Sequence, residues 1–210
     1  MLSADPGPEV ANVGAGQGTM SELLEGKGFR VTSVDPSADA QALLEARCRG
    51  PVVEASAESL PFPDATFDAG VLGEVLEHLD DDVRGLREVG RVLRSGAVVA
   101  VSVPRNPAWF GPSDEWAGHR RRYTRAALLD LCAAAGLVVE RLQPWGFPVS
   151  SVYHRYIYEP RLARAGAVPP RRSLQPLVAA LELALQVDRA FVGVERGALG
   201  YLLLARVPWS

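Results

Sequence analysis

This 210-residue sequence predicts an α/β fold: a doubly wound, mostly parallel, seven-stranded sheet with helices on both faces. Three observations predict it. Short Val-rich apolar runs alternate with longer runs of helical spacing, a glycine loop directly follows the first strand, and an aspartate closes the second. Parallel strands buried on both faces read as near-continuous apolar runs, and β-α-β crossovers are right-handed, so such alternation winds into one sheet.

The elements follow in order. Glu9–Val13 and Phe29–Asp35 read as buried strands, with a helix over Thr19–Lys27 between them that stops at Gly28. Ser37–Arg49 reads as a second helix, with Pro36 at its start, where a missing N–H costs nothing. Pro51–Ala55 and Thr66–Leu72 are the third and fourth strands. Asp80–Arg94 is a helix with a stripe of Val83, Leu86, Arg87, Val89, Gly90 and Leu93. Ala97–Val103 (AVVAVSV) is the most strand-like run, stopped by Pro104. A Pro-, Gly- and Trp-rich loop covers Arg105–Arg122. A helix over Arg125–Ala135 follows, with Leu128, Leu129, Leu131 and Cys132 on one side and Gly136 where a C′ glycine belongs. Leu137–Leu142 and Ala198–Val207 are the last strands. The stretch between them, 143–197, is an insertion or lid, with a bent connector over Pro160–Arg172 and an amphipathic helix around Leu174–Phe191. The length suits one domain over 1–210.

Composition excludes several functions. A net charge of −3 with acids and bases intermixed argues against a general nucleic-acid binder. Two distant cysteines, Cys48 and Cys132, make neither a disulfide framework nor a metal-ligand spacing, and read as buried thiols. The N-terminal MLSADPGPEV lacks the basic and apolar regions of a signal peptide, and no run reaches the ~18 apolar residues of a membrane span. A cytoplasmic protein, monomer or homodimer, without an integral membrane segment is expected.

VANVGAGQGTM places Gly14, Ala15, Gly16 and Gly18 between the first strand and the first helix. Glycine suits a sharp turn that needs φ > 0 and a backbone that a ligand approaches closely. The spacing is G-x-G-x-G rather than the G-x-G-x-x-G of dinucleotide enzymes. Asp35 ends the second strand, where a carboxylate can accept both hydroxyls of an adenosine ribose. Nicotinamide enzymes share these two features.

A further stretch separates the cases. EASAESLPFPDATFDAGVLGEVLEHLDD, residues 54–81, followed by RVLRSGAVVAVSVP and GHRRRYT, resembles the class I S-adenosylmethionine-dependent methyltransferases, of the type 11, UbiE-like family, over about residues 9–142. The resemblance implies a Rossmann-like sheet with an antiparallel last strand, and S-adenosyl-L-methionine as cofactor. It also implies adenine contacts from Ser56, Ala57 and Glu58, ribose contacts from Asp35 beside Pro36, and methionine contacts from the glycine loop and from Gly73 and Glu74. Three departures stand out. The family usually has an acid where this chain has Asn12, which exchanges a charge-assisted bond of about 1.5–3 kcal/mol for a neutral one of about 1. Its D-A-E aspartate is Ser56 here. Few residues precede the first strand, so either the start is truncated or the insertion supplies the cover.

Methyl transfer is an in-line displacement at the sulfonium methyl, helped by alignment and water exclusion, with a base needed only if the acceptor must lose a proton. His78, just past the fourth strand, can serve as that base; the alternative is that Glu77 and His78 cap the following helix. Glu74, Glu77 and His78 match an E-x-x-E-H order that holds a metal in quinone-type O-methyltransferases, but no metal is expected here. His119, Arg122 and Tyr123 could orient or deprotonate the acceptor, or could latch the loop to the helix after Thr124. Trp109, Phe110 and Trp116 could line an apolar pocket, and Trp145, Phe147, Tyr153, Tyr156 and Tyr158 its outer wall. The expected partner is a small-molecule methyl acceptor, reacting at oxygen, nitrogen or carbon. The competing readings are a non-catalytic S-adenosylmethionine-binding regulatory or partner module and a nicotinamide oxidoreductase.

Overall fold

The computed structural model describes residues 8–160, 187–188 and 190–209. Its strands are β1 (Glu9–Val13), β2 (Arg30–Asp35), β3 (Val52–Glu54), β4 (Phe67–Gly73), β5 (Leu93–Pro104), β6 (Val138–Trp145) and β7 (Gly200–Arg206). The helices are α1 (Thr19–Gly26), α2 (Ala38–Arg47), α3 (Asp82–Val92), α4 (Pro112–Ala117), α5 (Arg125–Ala134) and α6 (Val149–Tyr153). The strands form one seven-stranded sheet in the order β3-β2-β1-β4-β5-β7-β6. β1 runs parallel to β2 and β4, β2 to β3, and β4 to β5. β7 is antiparallel to β5: Gly96 N–H donates to the Val207 carbonyl near one end of β5, and Arg105 N–H donates to the Leu199 carbonyl at the other. The expected fold class is borne out, including the reversed last strand.

The chain divides into two compact units. One is Met1–Ser102 with Arg125–Arg141 and Leu203–Ser210; the other is Val103–Thr124 with Leu142–Leu202. In the first, Val10, Ala11 and Val13 of β1, Val31 and Val34 of β2 and Leu72 of β4 are all buried. The order of connection reverses between β1 and β4, so their carboxyl ends flank a topological switch point, the place where open α/β sheets bind ligands. α3 buries Gly85, Leu86, Val89 and Val92 and leaves Arg87 exposed, which removes Arg87 from the expected stripe; its guanidinium instead donates to the Ala134 carbonyl at the end of α5. α5 buries Leu128, Leu131 and Cys132, and burial pushes the Cys132 thiol up to about 11. Cys48 is only half-buried.

Several boundaries differ from expectation for local reasons. β5 begins at Leu93, four residues early, because Phe67 pairs with Leu93 before the register jumps to Ala69 opposite Val98. Gly96 allows that irregularity: its φ is +76°, and Trp209 packs where a Cβ would lie. The stretch 105–122 is not all loop. It holds a 3-10 turn at Pro107–Trp109 and α4, which starts with Pro112 in its first turn and stops at the left-handed Gly118. β6 runs on to Trp145. α6 continues into a wider helical turn over His154–Tyr158, and the Asp188 carboxylate accepts the N–H groups of Val149 and Ser150 at its start. Most of the helix expected around Leu174–Phe191, and the connector after Pro160, lie outside the described residues.

Ala15, Ala40 and Leu44 pack as a small cluster under the glycine loop, with Cys48 and Val52 against it. Leu44 is fully buried, so Leu44→Ala is expected to cost about 2–5 kcal/mol in urea unfolding. A loss under about 1 kcal/mol would show that this cluster does not support the loop.

Candidate functional site

The glycine loop is built by conformations that only glycine adopts cheaply. Gly14, Gly16 and Gly18 have φ of +71°, +52° and +80°. They differ in what surrounds them. A Cβ on Gly14 would meet Val75 Cγ2 at 2.4 Å, and one on Gly18 would meet Cys48 Sγ at 3.0 Å, whereas one on Gly16 would meet nothing within 4 Å. Gly14 and Gly18 are therefore packed, and Gly16 faces open space. The N–H groups of Gly14 and Ala15 both donate to the Val34 carbonyl, at 2.7 and 2.9 Å, which ties the loop to β2.

Asp35 holds this arrangement together. It is 8% exposed; its Oδ2 accepts Gly16 N–H at 2.8 Å and its Oδ1 accepts Ser37 N–H at 2.9 Å. One carboxylate thus joins the glycine loop to the entrance of α2. Each oxygen keeps a further lone pair, so ribose hydroxyls can still be accepted. Pro36, between Asp35 and Ser37, is exposed. Beneath the loop, Asn12 is 2% exposed; its amide donates to Ser21 Oγ at 2.8 Å, and Ser21 Oγ lies 2.7 Å from Ser33 Oγ. The position is neutral and rigidly networked between β1, α1 and β2.

The turn after β3 is anchored as well. Ser56 Oγ accepts Glu58 N–H at 3.2 Å, Ala57 is buried, and Glu58 Oε1 accepts the N–H of Asp81 at 2.6 Å. Gly73, exposed at the end of β4, is followed by Glu74 with φ +55°, a left-handed conformation that costs a non-glycine residue about 1 kcal/mol. Ser102 holds it there: its carbonyl and Oγ both accept Glu74 N–H, at 3.1 and 3.2 Å.

Leu76–His78 forms a 3-10 turn in which Glu77 is fully buried and His78 exposed. Neither of them caps α3. That role falls to Asp81, whose carboxylate accepts Arg84 N–H at 2.9 Å, because Asp81 sits one residue before the first helical position.

The second unit carries its own cluster. Asp114 of α4 is fully buried; His119 Nδ1 lies 2.8 Å from its Oδ1, and Arg122 Nε donates to both oxygens at 2.9 and 2.8 Å. Gly111 N–H donates to Oδ2 at 2.9 Å. Burial pushes the Asp114 carboxyl up, but the hydrogen bonds from His119, Arg122 and Gly111 outweigh it and leave its pKa below the ordinary value. Tyr123 is buried, and its backbone is latched to the end of β5: its N–H donates to the Pro104 carbonyl and its carbonyl accepts Asn106 N–H. Sequence reasoning missed Asp114; the available signal was its place three residues after Gly111 at a helix start. The expected apolar pocket differs too. Phe110 is 40% and Trp116 59% exposed, and Trp109 stacks under the Arg155 guanidinium. Of the expected outer wall, Phe147 packs edge-on against Phe191, Tyr153 stacks with Tyr158, and Tyr156 is exposed.

Residues 11–101 match the family model of a methyltransferase domain. A protein of Mycolicibacterium smegmatis named "Probable S-adenosylmethionine-dependent methyltransferase" is 34% identical over 140 residues, 64% of this chain and 53% of that protein. A demethylmenaquinone methyltransferase of Beutenbergia cavernae is 37% identical over 111 residues, 51% of this chain and 45% of the relative. The chain spans about half the length of the curated relatives it matches. Among solved structures, the [4+2]-cyclase SpnF aligns with a TM-score of 0.64 at 24% identity, over 98% of this chain and 77% of that one. An S-adenosylmethionine-dependent methyltransferase from Mesorhizobium loti also aligns with a TM-score of 0.64, at 19% identity, over 98% and 93%. These likenesses show the fold alone. S-adenosylmethionine is the cofactor the named relatives imply, and an open Gly16 beside a doubly anchored Asp35 fits its adenosyl group.

A carboxylate whose pKa is lowered on folding stabilises the fold above its unfolded value and loses that contribution as pH falls through the folded one. For Asp114 the loss begins near its ordinary 3.8 and continues below it. The stability gap between wild type and Asp114→Asn, measured by denaturant unfolding, is therefore expected to narrow as pH falls below about 4. A gap that stays constant there would mean that Asp114 is not charged in the folded protein. Over residues 11–101 the chain is similar to methyltransferase domains, and the named relatives it resembles are S-adenosylmethionine-dependent.

Proposed function

We propose that this chain transfers a methyl group from S-adenosylmethionine to a small-molecule acceptor. The observation that carries the reading is Asp35, buried at the carboxyl end of β2 with both oxygens held by backbone N–H groups beside an open Gly16. Asp35 accepts the ribose hydroxyls, the Ser56–Ala57–Glu58 turn meets the adenine, and the Gly14–Gly18 loop with Gly73 and Glu74 receives the methionine end. The N-terminus of α1, which has no side-chain cap, favours the carboxylate there. The bound cofactor supplies an activated methyl group; the protein aligns the acceptor, excludes water and takes a proton where the acceptor must lose one. His78, just past β4, is the proton acceptor in this reading. The protein acts in the cytoplasm as a monomer or homodimer and does not act on nucleic acid.

A second reading is a non-catalytic S-adenosylmethionine-binding module. The neutral Asn12–Ser21–Ser33 network favours it, since no carboxylate is offered there to the cofactor ammonium. A [4+2]-cyclase with the same fold also warns that architecture does not fix the reaction.

Titration of S-adenosylmethionine, S-adenosylhomocysteine and NADH, followed by calorimetry and thermal shift, separates the readings. Either adenosyl compound at 100 times its Kd is expected to stabilise the protein by about 2.7 kcal/mol, and NADH by nothing. Asp35→Ala is expected to abolish the effect. His78→Ala is expected to keep it while lowering turnover by about 10²–10⁴-fold. Absence of adenosyl binding at millimolar ligand would overturn both adenosyl readings; binding without turnover across an acceptor screen would favour the second.

A further inference from the structure

The first compact unit has a cavity of about 430 Å³ at the end of the sheet opposite Asp35. Parallel pairing brings the amino ends of β1, β2 and β3 to one edge, and the cavity lies there. Glu9 and Arg30 open β1 and β2, and Pro51 precedes β3. Glu25 near the end of α1 and the Arg49–Gly50 turn after α2 close its sides. A strand rises ~3.3 Å per residue, so the length of β2 puts about 16 Å between this cavity and Asp35. It is separate from the glycine loop.

Its walls are fixed by the chain's own bonds. The Glu25 carboxylate accepts Arg49 N–H on both oxygens, at 2.9 and 3.0 Å, and Gly50 N–H at 2.8 Å. Gly50 has no room for a side chain, since a Cβ there would meet the Val31 carbonyl oxygen at 1.9 Å. That wall is therefore pressed against β2. Phe29 N–H donates to the Leu24 carbonyl at 3.2 Å, and the Pro51 carbonyl accepts Ser33 N–H at 2.9 Å. The shape is thus set before any ligand arrives, and the volume falls within the about 300–1,000 Å³ of small-molecule sites.

The charges that line it are spoken for, with one exception. Arg30 pairs with Glu9 at 2.7 Å, and Glu25 is held by the backbone N–H groups. Arg49 is exposed, and its guanidinium meets no acceptor among the described residues. Phe29, Val31 and Pro51 supply apolar surface to the same cavity. A guanidinium fork matches a carboxylate with two parallel hydrogen bonds. Glu9 and Glu25 line the cavity as well, and their like charge opposes a dianion more than a monoanion. We propose that this cavity binds a small organic monocarboxylate with a flat apolar body, its carboxylate on Arg49 and its ring against Phe29 and Pro51.

Three probes of one shape test this: naphthoate, its neutral amide naphthamide, and naphthyl phosphate. Each is titrated into the ¹⁵N-labelled full chain and followed by ¹H–¹⁵N spectra. Naphthoate at millimolar concentration is expected to shift, saturably, the backbone amide signals of Phe29, Arg30, Arg49 and Gly50 and the Arg49 Nε–H signal. The amide and the phosphate are expected to bind at least tenfold more weakly. Arg49→Gln changes an exposed side chain and is expected to keep the urea midpoint. It is expected to weaken naphthoate by about 10–100-fold, the range of a lost hydrogen bond to a charged group. No shift at these amides, equal affinity for naphthamide, or unchanged naphthoate binding in Arg49→Gln overturns the proposal. Naphthyl phosphate binding as tightly as naphthoate overturns the monoanion class. No adenosyl compound is present in these titrations, so their outcome is independent of the cofactor reading.

Discussion

Asp35 is the residue on which the geometry of the candidate site depends. Parallel pairing brings the carboxyl ends of β1 and β2 to the same edge of the sheet, and the chain leaves each of them by a turn. A turn that opens onto a ligand has backbone N–H groups with no ladder partner, and burying them unpaired would cost about 1–3 kcal/mol each. The Asp35 carboxylate satisfies one N–H from each turn, Gly16 and Ser37, while itself being almost fully buried. The same two bonds draw the carboxylate charge to the rim of the switch point between β1 and β4, where a ribose can reach it.

The rest of the first unit serves that geometry. Leu44, Ala40 and Ala15 fill the space under the loop, and the tight surroundings of Gly14 and Gly18 leave it one way to run. Glu74 is held in a left-handed conformation at the end of β4 by two bonds to Ser102, a strain that makes sense where a backbone must turn toward a ligand. The Asn12–Ser21–Ser33 network shows how a neutral polar residue is accommodated in the interior at the end of β1. Its amide donates to Ser21 Oγ, which in turn meets Ser33 Oγ, so the amide is paired and the cost of burial is met locally.

Much of the fold was legible in the sequence because its signals are local. Val-rich runs marked β1, β2 and β4 to within a residue or two, and the glycine loop and Asp35 lie at the carboxyl ends of β1 and β2, as their spacing predicts. The misses have physical causes. β5 was called short because Arg94, Ser95 and Gly96 break its apolar run, yet Trp209, more than a hundred residues away, covers Gly96 and lets the strand start earlier. α4 is too short to show a helical period, and only its Pro112 and Gly118 marked it. Asp114 was invisible for a related reason. Its partners Gly111, His119 and Arg122 are close in sequence, but the pairing exists only once a short helix and a turn bring two side chains and a backbone N–H onto one carboxylate. Likewise Glu77 and His78 suggested a cap by position, but the 3-10 turn they form leaves that task to Asp81.

The central claim is that the carboxylate at the end of β2 receives an adenosine ribose beside the glycine loop. Co-crystallisation with S-adenosylhomocysteine tests it most directly. The account predicts both ribose hydroxyls within about 3.2 Å of the Asp35 carboxylate, with Gly16 N–H still bonded to Oδ2. An adenosyl group bound elsewhere, or an Asp35 that keeps only its backbone donors while the ribose lies out of hydrogen-bond reach, would contradict it.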